Sequence, residues 1–438
     1  MNKSLRVIKY LGVFVFFIVL FTFICSDILT GDSIWSYGFS HAISKGLVPY
    51  LDFNTISTPL YSFLLAIPLL IWDNLFMFVM AHSAFCTLLV YLVNKYSKNG
   101  WFLLLVLAFP IFKAFLISYN FLCLVLILLL FILENKEFKY KDFIIGIVLG
   151  LLILTKQTVG GISLIFSFIL LKDFKRIGKR LVGVCIPGVI FLIYLLITGS
   201  FYNFLDLCLF GLFDFNNSNG NFNIISLISY LLLLIVFIAM ILKKDIKFGY
   251  VVGSFFFVFP LFDMYHFSLF LMIFCLSFID RFESNKYLGK VSFLVFIVLI
   301  GLNILIRSDL ERGFLKVDKF ECYLLDIPTK NKLEKVIRKY KEYDNAIMVG
   351  DLAMISDVST GRDISYFDVT LKGNYGYDGT NKMIKKFDKL EDIYIFIDVE
   401  RLEKVKDTTQ LDYNLLKHII KNSKEVDGVS SFKVYYKE

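Results

Sequence analysis

Several absences narrow the reading of this chain. There is no G-x-x-x-x-G-K-[ST] phosphate loop, no G-x-G-x-x-G fingerprint and no D-x-D carboxylate pair, so neither a nucleotide-driven motor nor a cytoplasmic nucleotide-sugar enzyme is expected. No H-E-x-x-H helix occurs, and the four histidines, His41, His82, His266 and His418, are too scattered to suggest a histidine metal cluster. The seven cysteines show no paired spacing, and six lie in or near apolar segments; they read as small buried hydrophobes, not as disulfides or zinc ligands. Internal repeats, low-complexity tracts and long linkers are also missing.

Charge is scarce too, at 19% of residues against 57% hydrophobic, and apolar runs of span length recur from Leu11 to Ile306. With 49 phenylalanines and a mean hydropathy of +0.70, a soluble protein is excluded. The first run, Tyr10 to Ile24, follows Lys3, Arg6 and Lys9 but precedes no small-x-small cleavage site, and Thr22 to Cys25 does not resemble a lipoprotein processing site. It reads as a retained anchor with a cytoplasmic N-terminus. Basic residues cluster in short connections: Lys95 and Lys98; Lys136, Lys139 and Lys141; Lys172 to Arg180; Lys243, Lys244 and Lys247; Arg281, Lys286 and Lys290. The net charge of +8 is thus an orientation signal that places these connections inside, and no nucleic-acid partner is expected.

That placement predicts a path. Residues 143–171 leave and return as two short helices turning near Thr155 to Gly161, which puts Lys156 at the outer face. Trp101 to Leu133 forms a hairpin turning near Ser118-Tyr119-Asn120, with Pro110 and Lys113 on its outward limb. Segments 181–197, 248–261 and 291–306 run out, while 224–242 and 267–279 return. Between Pro59 and Asn94 two apolar runs break at Trp72-Asp73-Asn74, yet parity allows one net crossing: either one run is re-entrant, or the Lys95 and Lys98 pair lies outside. The expectation is an α-helical polytopic membrane protein of about 11 crossings built from about 12 apolar segments. From Ser308 charge becomes dense. Strand patterns at 346–349 and 393–397 and helical patterns at 332–340 and 411–420 predict a small extracytoplasmic α/β C-terminal domain. The expected division is a transmembrane domain 1–307, with a catalytic first outer loop 27–60, and an outer domain 308–438.

The outer loop carries the chemistry. About thirty polar residues with two carboxylates, a lysine and a histidine need an aqueous or catalytic explanation in such a chain. Gly31-Asp32-Ser33-Ile34-Trp35-Ser36-Tyr37, Ala42, Gly46, Pro49-Tyr50-Leu51-Asp52-Phe53 and Thr58-Pro59-Leu60-Tyr61 resemble the first outer loop of the GT-C membrane glycosyltransferases, in particular the protein O-mannosyltransferase and aminoarabinose-transferase type. Gly150 to Thr158 resembles the lysine-bearing segment of bacterial members, and Gly373-Asn374-Tyr375-Gly376-Tyr377-Asp378-Gly379-Thr380 is similar to a stretch of the outer domain in Gram-positive relatives. One departure stands out. Many relatives have Asp-Glu in the first loop, whereas here Ser33 follows Asp32.

The resemblance implies transfer of a sugar from a polyprenyl-phosphate carrier to a glycan, lipid or protein acceptor at the outer face of the cell membrane, with Asp32 as the family's catalytic aspartate. The physical reading agrees: an attacking hydroxyl must lose its proton, and one carboxylate suffices when the leaving group is already a phosphate. The plain alternative for Asp32 is a solvated loop carboxylate. Asp52 either binds acceptor or braces the turn after Pro49. Lys156 is the candidate cation for the donor phosphate, against a lysine that merely snorkels to the interface. Tyr50 and Gln157 join the substrate-binding candidates. His266, beside Asp263 and Tyr265, is a further one, against a histidine satisfied by its neighbour. Lys113 is weaker, and His82 reads as a buried packing residue. The loop 201–223, with Asp206 and Asp214, either lines the cleft or lies along the interface. No cofactor is specified, and a divalent metal is left open. A lipid-linked glycan flippase or transporter, or a non-catalytic envelope-assembly protein, is the alternative function.

Overall fold

The computed structural model describes residues 3–24, 31–96, 117–219, 222–278 and 311–438, apart from 321–323, 351, 372, 401 and 403–411, with four single positions between 291 and 301. The limb with Pro110 and Lys113, the basic turn with Arg281, Lys286 and Lys290, nearly all of the 291–306 segment and the 307–308 boundary lie outside the described residues.

Helices dominate. In chain order they are α1 (Lys3–Val19), α2 (Gly31–Ser44), α3 (Leu60–Ile71), α4 (Leu75–Tyr96), α5 (Asn120–Glu134), α6 (Lys141–Ile153), α7 (Gln157–Leu171), α8 (Phe174–Ile197), the short α9 (Phe201–Leu205) and α10 (Gly211–Asn219), α11 (Ile224–Lys243), α12 (Lys247–Ser254) and α13 (Met264–Phe278). Among the described residues, α4, α8 and α11 are long and apolar enough to cross a membrane. On α8 and α11, residues such as Val182, Ile186, Val189, Ile193, Leu227, Leu231, Leu234 and Ile238 stay exposed at helical spacing. Such a stripe needs an apolar solvent.

The helices share two ends. At one, the Lys247 ammonium reaches the Tyr96 hydroxyl at 3.5 Å, and Glu134, Asp142, Arg176 and Arg180 meet in a buried ionic network. At the other, the Lys156 ammonium meets the Asn120 amide oxygen at 3.4 Å and the Thr58 hydroxyl donates to the Ile153 carbonyl at 2.7 Å. The 143–171 stretch is two short helices, α6 and α7, turning at Leu154 to Lys156. Close approach of α6 to α8 depends on absent side chains: a Cβ on Gly146 would run into the Arg180 carbonyl, and one on Gly183 into the Phe143 carbonyl.

The ambiguous 59–94 stretch resolves into unlike helices. Both ends of α3 lie beside the C-terminal region: before it, the Asn54 amide donates to the Tyr366 carbonyl at 3.1 Å; after it, Asp73 pairs with Lys319 at 2.5 Å. Thus both flanks of α3 meet the C-terminal region, while α4 is long and apolar enough to cross a membrane.

After residue 311 the chain forms a two-stranded ribbon, β1 (Arg312–Phe314) and β2 (Leu324–Asp326), then α14 (Ile327–Lys341), β3 (Ala346–Val349), α15 (Ala353–Thr360), α16 (Gly379–Asp388), β4 (Ile393–Asp398), α17 (Tyr413–Lys421), β5 (Lys424–Val429) and β6 (Phe432–Lys437). The sheet order is β3-β4-β6-β5, with β3 and β4 parallel and the rest antiparallel. Asp326 and Asp412 cap α14 and α17 through side-chain bonds to the Thr329 and Leu415 amides. The C-terminal region is welded to the helices: Phe320, Leu325, Leu333, Met354 and Val358 share one buried cluster with Tyr37, Phe78 and Leu124. That union positions a wall of the cavity described next.

Candidate functional site

The chain enters α2 through Gly31, whose φ of +52° suits glycine, and Asp32 follows in the first helical turn. Ser33, the departure from the Asp-Glu pattern, has a structural partner: its hydroxyl accepts the Ile117 backbone N–H at 2.7 Å and holds the start of α2 to the entry of α5. The neighbouring Ser118 hydroxyl bonds the Tyr265 hydroxyl at 2.8 Å, so three distant segments are tied together at this point.

These segments enclose a cavity of about 770 Å³. Asp32, Lys156, Gln157, Asp263 and His266 all line it, together with Trp35, Tyr61, Tyr119, Leu212, Phe215 and the aromatic run at Phe256, Phe257 and Phe259; Val369, Leu371 and Asn374 reach it from the C-terminal region. Asp32 accepts no hydrogen bond from the described residues. Burial pushes its carboxyl above the ordinary value, while the charges of His266 and Lys156 oppose that shift. A carboxylate in this state takes up a proton more readily than an exposed one.

Lys156 stands in extended conformation immediately before α7, with its ammonium 5.6 Å from the Tyr119 ring centre and 5.3 Å from that of Phe257. Among the described residues the ammonium makes one hydrogen bond, long at 3.4 Å and to the neutral Asn120 amide oxygen, leaving donors for an anion. His266 has both neighbours the sequence suggested: its ring lies 4.9 Å from that of Tyr265, Nδ1 meets the Asp263 carboxylate at 2.6 Å, and the backbone N–H donates to the same carboxylate at 2.9 Å. That contact fixes the ring and leaves Nε2 as its second polar atom. The Gln157 amide donates to the Ile56 carbonyl at 2.7 Å and the Cys208 carbonyl at 3.3 Å, so it joins two cavity walls.

Two of the substrate-binding candidates stand apart from this cavity. Neither Asp52 nor Tyr50 lines the cavity. The Asp52 carboxylate accepts the Val48 backbone N–H at 2.6 Å and braces its own turn. Tyr50 has a φ of +71°, is 1% exposed among Leu195, Leu207 and Cys208, and donates its hydroxyl to the Ser57 carbonyl at 3.0 Å. Lys113 lies outside the described residues. His82, expected to be a packing residue, is fully buried and bonds the Tyr61 hydroxyl at 2.8 Å through Nδ1.

Asp73, Asp206 and Asp214 also have protein partners. Burial would raise the Asp73 carboxyl, but His41 at 2.7 Å, Lys319 at 2.5 Å and Lys45 at 3.1 Å hold it well below the carboxylate range. Asp206 accepts the Tyr377 N–H at 3.2 Å and pairs with Lys382 at 2.6 Å, while Asp214 accepts the Asp378 N–H at 2.8 Å. From the 201–223 loop, then, Leu212 and Phe215 line the cleft and the two aspartates fasten the C-terminal region. Among the described residues no group of three or more His, Cys, Asp or Glu side chains is arranged to hold a metal ion.

No family model matches this chain, and no curated protein matches its sequence. The architecture does find a counterpart: the crystal structure of ArnT from Cupriavidus metallidurans bound to undecaprenyl phosphate is similar with a TM-score of 0.56 at 11% identity, over 99% of this chain and 98% of that one. The chain shares the fold of ArnT. Apo ArnT gives 0.53 over the same shares of the two chains, also at 11% identity. An oligosaccharyltransferase from Archaeoglobus fulgidus scores 0.48 at 11% identity, covering 95% of this chain and 71% of its own. Near-complete coverage of both chains means that ArnT and this protein have helices and C-terminal region in a common order.

Proposed function

We propose that this protein is a membrane glycosyltransferase that moves a sugar from a polyprenyl-phosphate donor to an acceptor hydroxyl at the outer face of the cytoplasmic membrane. The observation that carries the reading is the meeting of Asp32, Lys156 and His266 in one cavity, on a fold shared with ArnT, which was crystallised with undecaprenyl phosphate. In this reading the acceptor oxygen attacks the anomeric carbon as its proton passes to Asp32. The bond from that carbon to the phosphate oxygen breaks, and the electron pair leaves with the carrier phosphate. Lys156 balances the charge that develops there, with no acid required. His266, fixed by Asp263, contacts the substrate through Nε2. Gln157 holds the loop around Ile56 against the 206–210 turn. The basic connections at the opposite end of the bundle support placing that end in the cytoplasm and residues 308–438 outside as a domain of their own.

The donor approaches from the lipid side along the aromatic run 255–262, and the acceptor from the water under the C-terminal domain. The test is purified protein in lipid, supplied with acceptor and either a polyprenyl-phosphate sugar or a nucleotide sugar. Turnover is expected only with the lipid-linked donor, and Asp32→Asn should lower kcat by about 10²- to 10⁴-fold while donor binding persists. Equal turnover by Asp32→Asn and wild type, or turnover with nucleotide sugar in the absence of any carrier, would reject the reading.

A further inference from the structure

One polar group on the cavity wall neither takes part in the proposed chemistry nor is bonded within the described residues. Asn374 lies in the C-terminal region, lines the cavity and is 6% exposed, yet its amide oxygen has no hydrogen-bond partner among the described residues. Other polar side chains on the wall differ in this respect: Asn54 is bonded to the Tyr366 carbonyl, Thr58 to the Ile153 carbonyl and Gln157 to the Ile56 carbonyl. Among the described lining residues, Asn374 alone carries a buried polar side-chain atom with no partner. A buried amide left in this condition is unfavourable unless a ligand completes it.

The backbone around Asn374 is held with care. Gly373 and Gly376 have φ of +90° and +82°, and a Cβ on either would strike Phe215 or Asp206. Between and after them, the Asn374 N–H donates to the Leu371 carbonyl at 3.0 Å, and the Tyr377 and Asp378 N–H groups are held by Asp206 and Asp214. Lys382 adds its ion pair with Asp206 at 2.6 Å. The clasp therefore fixes an unsatisfied amide against the cavity from outside the helical bundle.

We infer that Asn374 is a specificity residue whose side-chain amide hydrogen-bonds a hydroxyl group of the bound substrate, so that the C-terminal region selects the substrate as well as covering the cavity. This rests on the glycosyl-transfer reading. A hydroxyl is the fitting partner because it both donates and accepts, and so satisfies an amide in either orientation. That hydroxyl belongs either to the sugar of the donor or to the acceptor.

The experiment compares wild type with Asn374→Leu, which keeps the side-chain size, and Asn374→Asp, which keeps the acceptor oxygen. Each is assayed with the polyprenyl-phosphate sugar that supports wild-type turnover, with its monodeoxy analogues, and with monodeoxy acceptors. Wild-type turnover on the lipid-linked donor tests the parent reading by itself; its absence rejects that reading and this assignment together. Given that turnover, Asn374→Leu should lower kcat/KM roughly 10- to 100-fold on the full substrate and should no longer distinguish it from one particular deoxy analogue. Asn374→Asp should restore part of that discrimination. Loss of discrimination in the donor series places the contact on the transferred sugar, and loss in the acceptor series places it on the acceptor. An Asn374→Leu variant with wild-type kcat/KM, or one uniformly weakened with its discrimination intact in both series, would overturn the assignment while leaving the glycosyltransferase reading in place.

Discussion

Replacing Arg180 by Met tests how the bundle is held at the end away from the cavity. The Arg180 side chain is completely buried in α8 and makes ion pairs with Glu134 at 2.8 Å and Asp142 at 2.9 Å, and donates to the Tyr250 hydroxyl at 3.2 Å. Once it is removed, Asp142 keeps Arg176 at 2.9 Å, but among the described residues the Glu134 carboxylate, its side chain 6% exposed, keeps only the Tyr250 hydroxyl at 2.6 Å. The backbones cannot close over the loss, because α6 and α8 already touch at Gly146 and Gly183. One buried charge stripped of its cation costs about 3–5 kcal/mol. The penalty belongs to Glu134, so adding Glu134→Gln to Arg180→Met should restore more than half of the loss. Thermal unfolding of the purified protein in detergent, followed by the fraction still monodisperse on size exclusion, measures both variants. A single variant as stable as wild type, or a double variant less stable than the single one, would refute the reasoning.

Two further predictions follow from the cavity and its C-terminal wall. Lys156→Met should raise the donor KM about 10- to 100-fold, the equivalent of one charge-assisted hydrogen bond to phosphate, with the acceptor KM unchanged; an unchanged donor KM in steady-state assays would remove Lys156 from the phosphate site. The second concerns the Asp357 and Asp368 pair in the C-terminal region. Burial, and then the charge of Asp357, push the Asp368 carboxyl well above the carboxylate range, and burial raises Asp357 as well. The folded state therefore binds protons more tightly than the unfolded chain. The associated stability is complete below the unfolded carboxylate value of about 4 and is lost as pH rises through the folded values. Asp368→Asn, which imitates the protonated form, should gain melting temperature relative to wild type as pH is raised from 5 to 8; a constant difference across that range would refute the raised Asp368 carboxyl.

Patterns within ten or fifteen residues were enough to place most elements. Apolar run length and basic connections located α6, α7, α11 and α13, and the apolar strand cores at 346–349 and 393–397 emerged as β3 and β4. The edge strand β5 was illegible because Lys424-Glu425-Val426-Asp427 is exposed and charged, with no apolar alternation for its burial to impose. The run that became α3 was ambiguous for a different reason: its 12 residues suit either a short crossing or a re-entrant helix, and the contact that anchors its far end, Asp73 with Lys319, joins positions 246 residues apart. The same limit applies with more force to the site. Asp32, Asp52, Asp73, Asp206, Asp214 and Asp263 all sit in polar stretches between apolar runs, and composition ranks none above another. Folding separates them by giving each of the last five a donor within the protein: Val48, His41 with Lys45 and Lys319, Tyr377 with Lys382, Asp378, and His266. Among the described residues, Asp32 alone of these six receives no such bond, and it faces the cavity. In the proposed reaction the base needs an available carboxylate oxygen, and at Asp32 that availability depends on long-range contacts that occupy the other five, which no local pattern records.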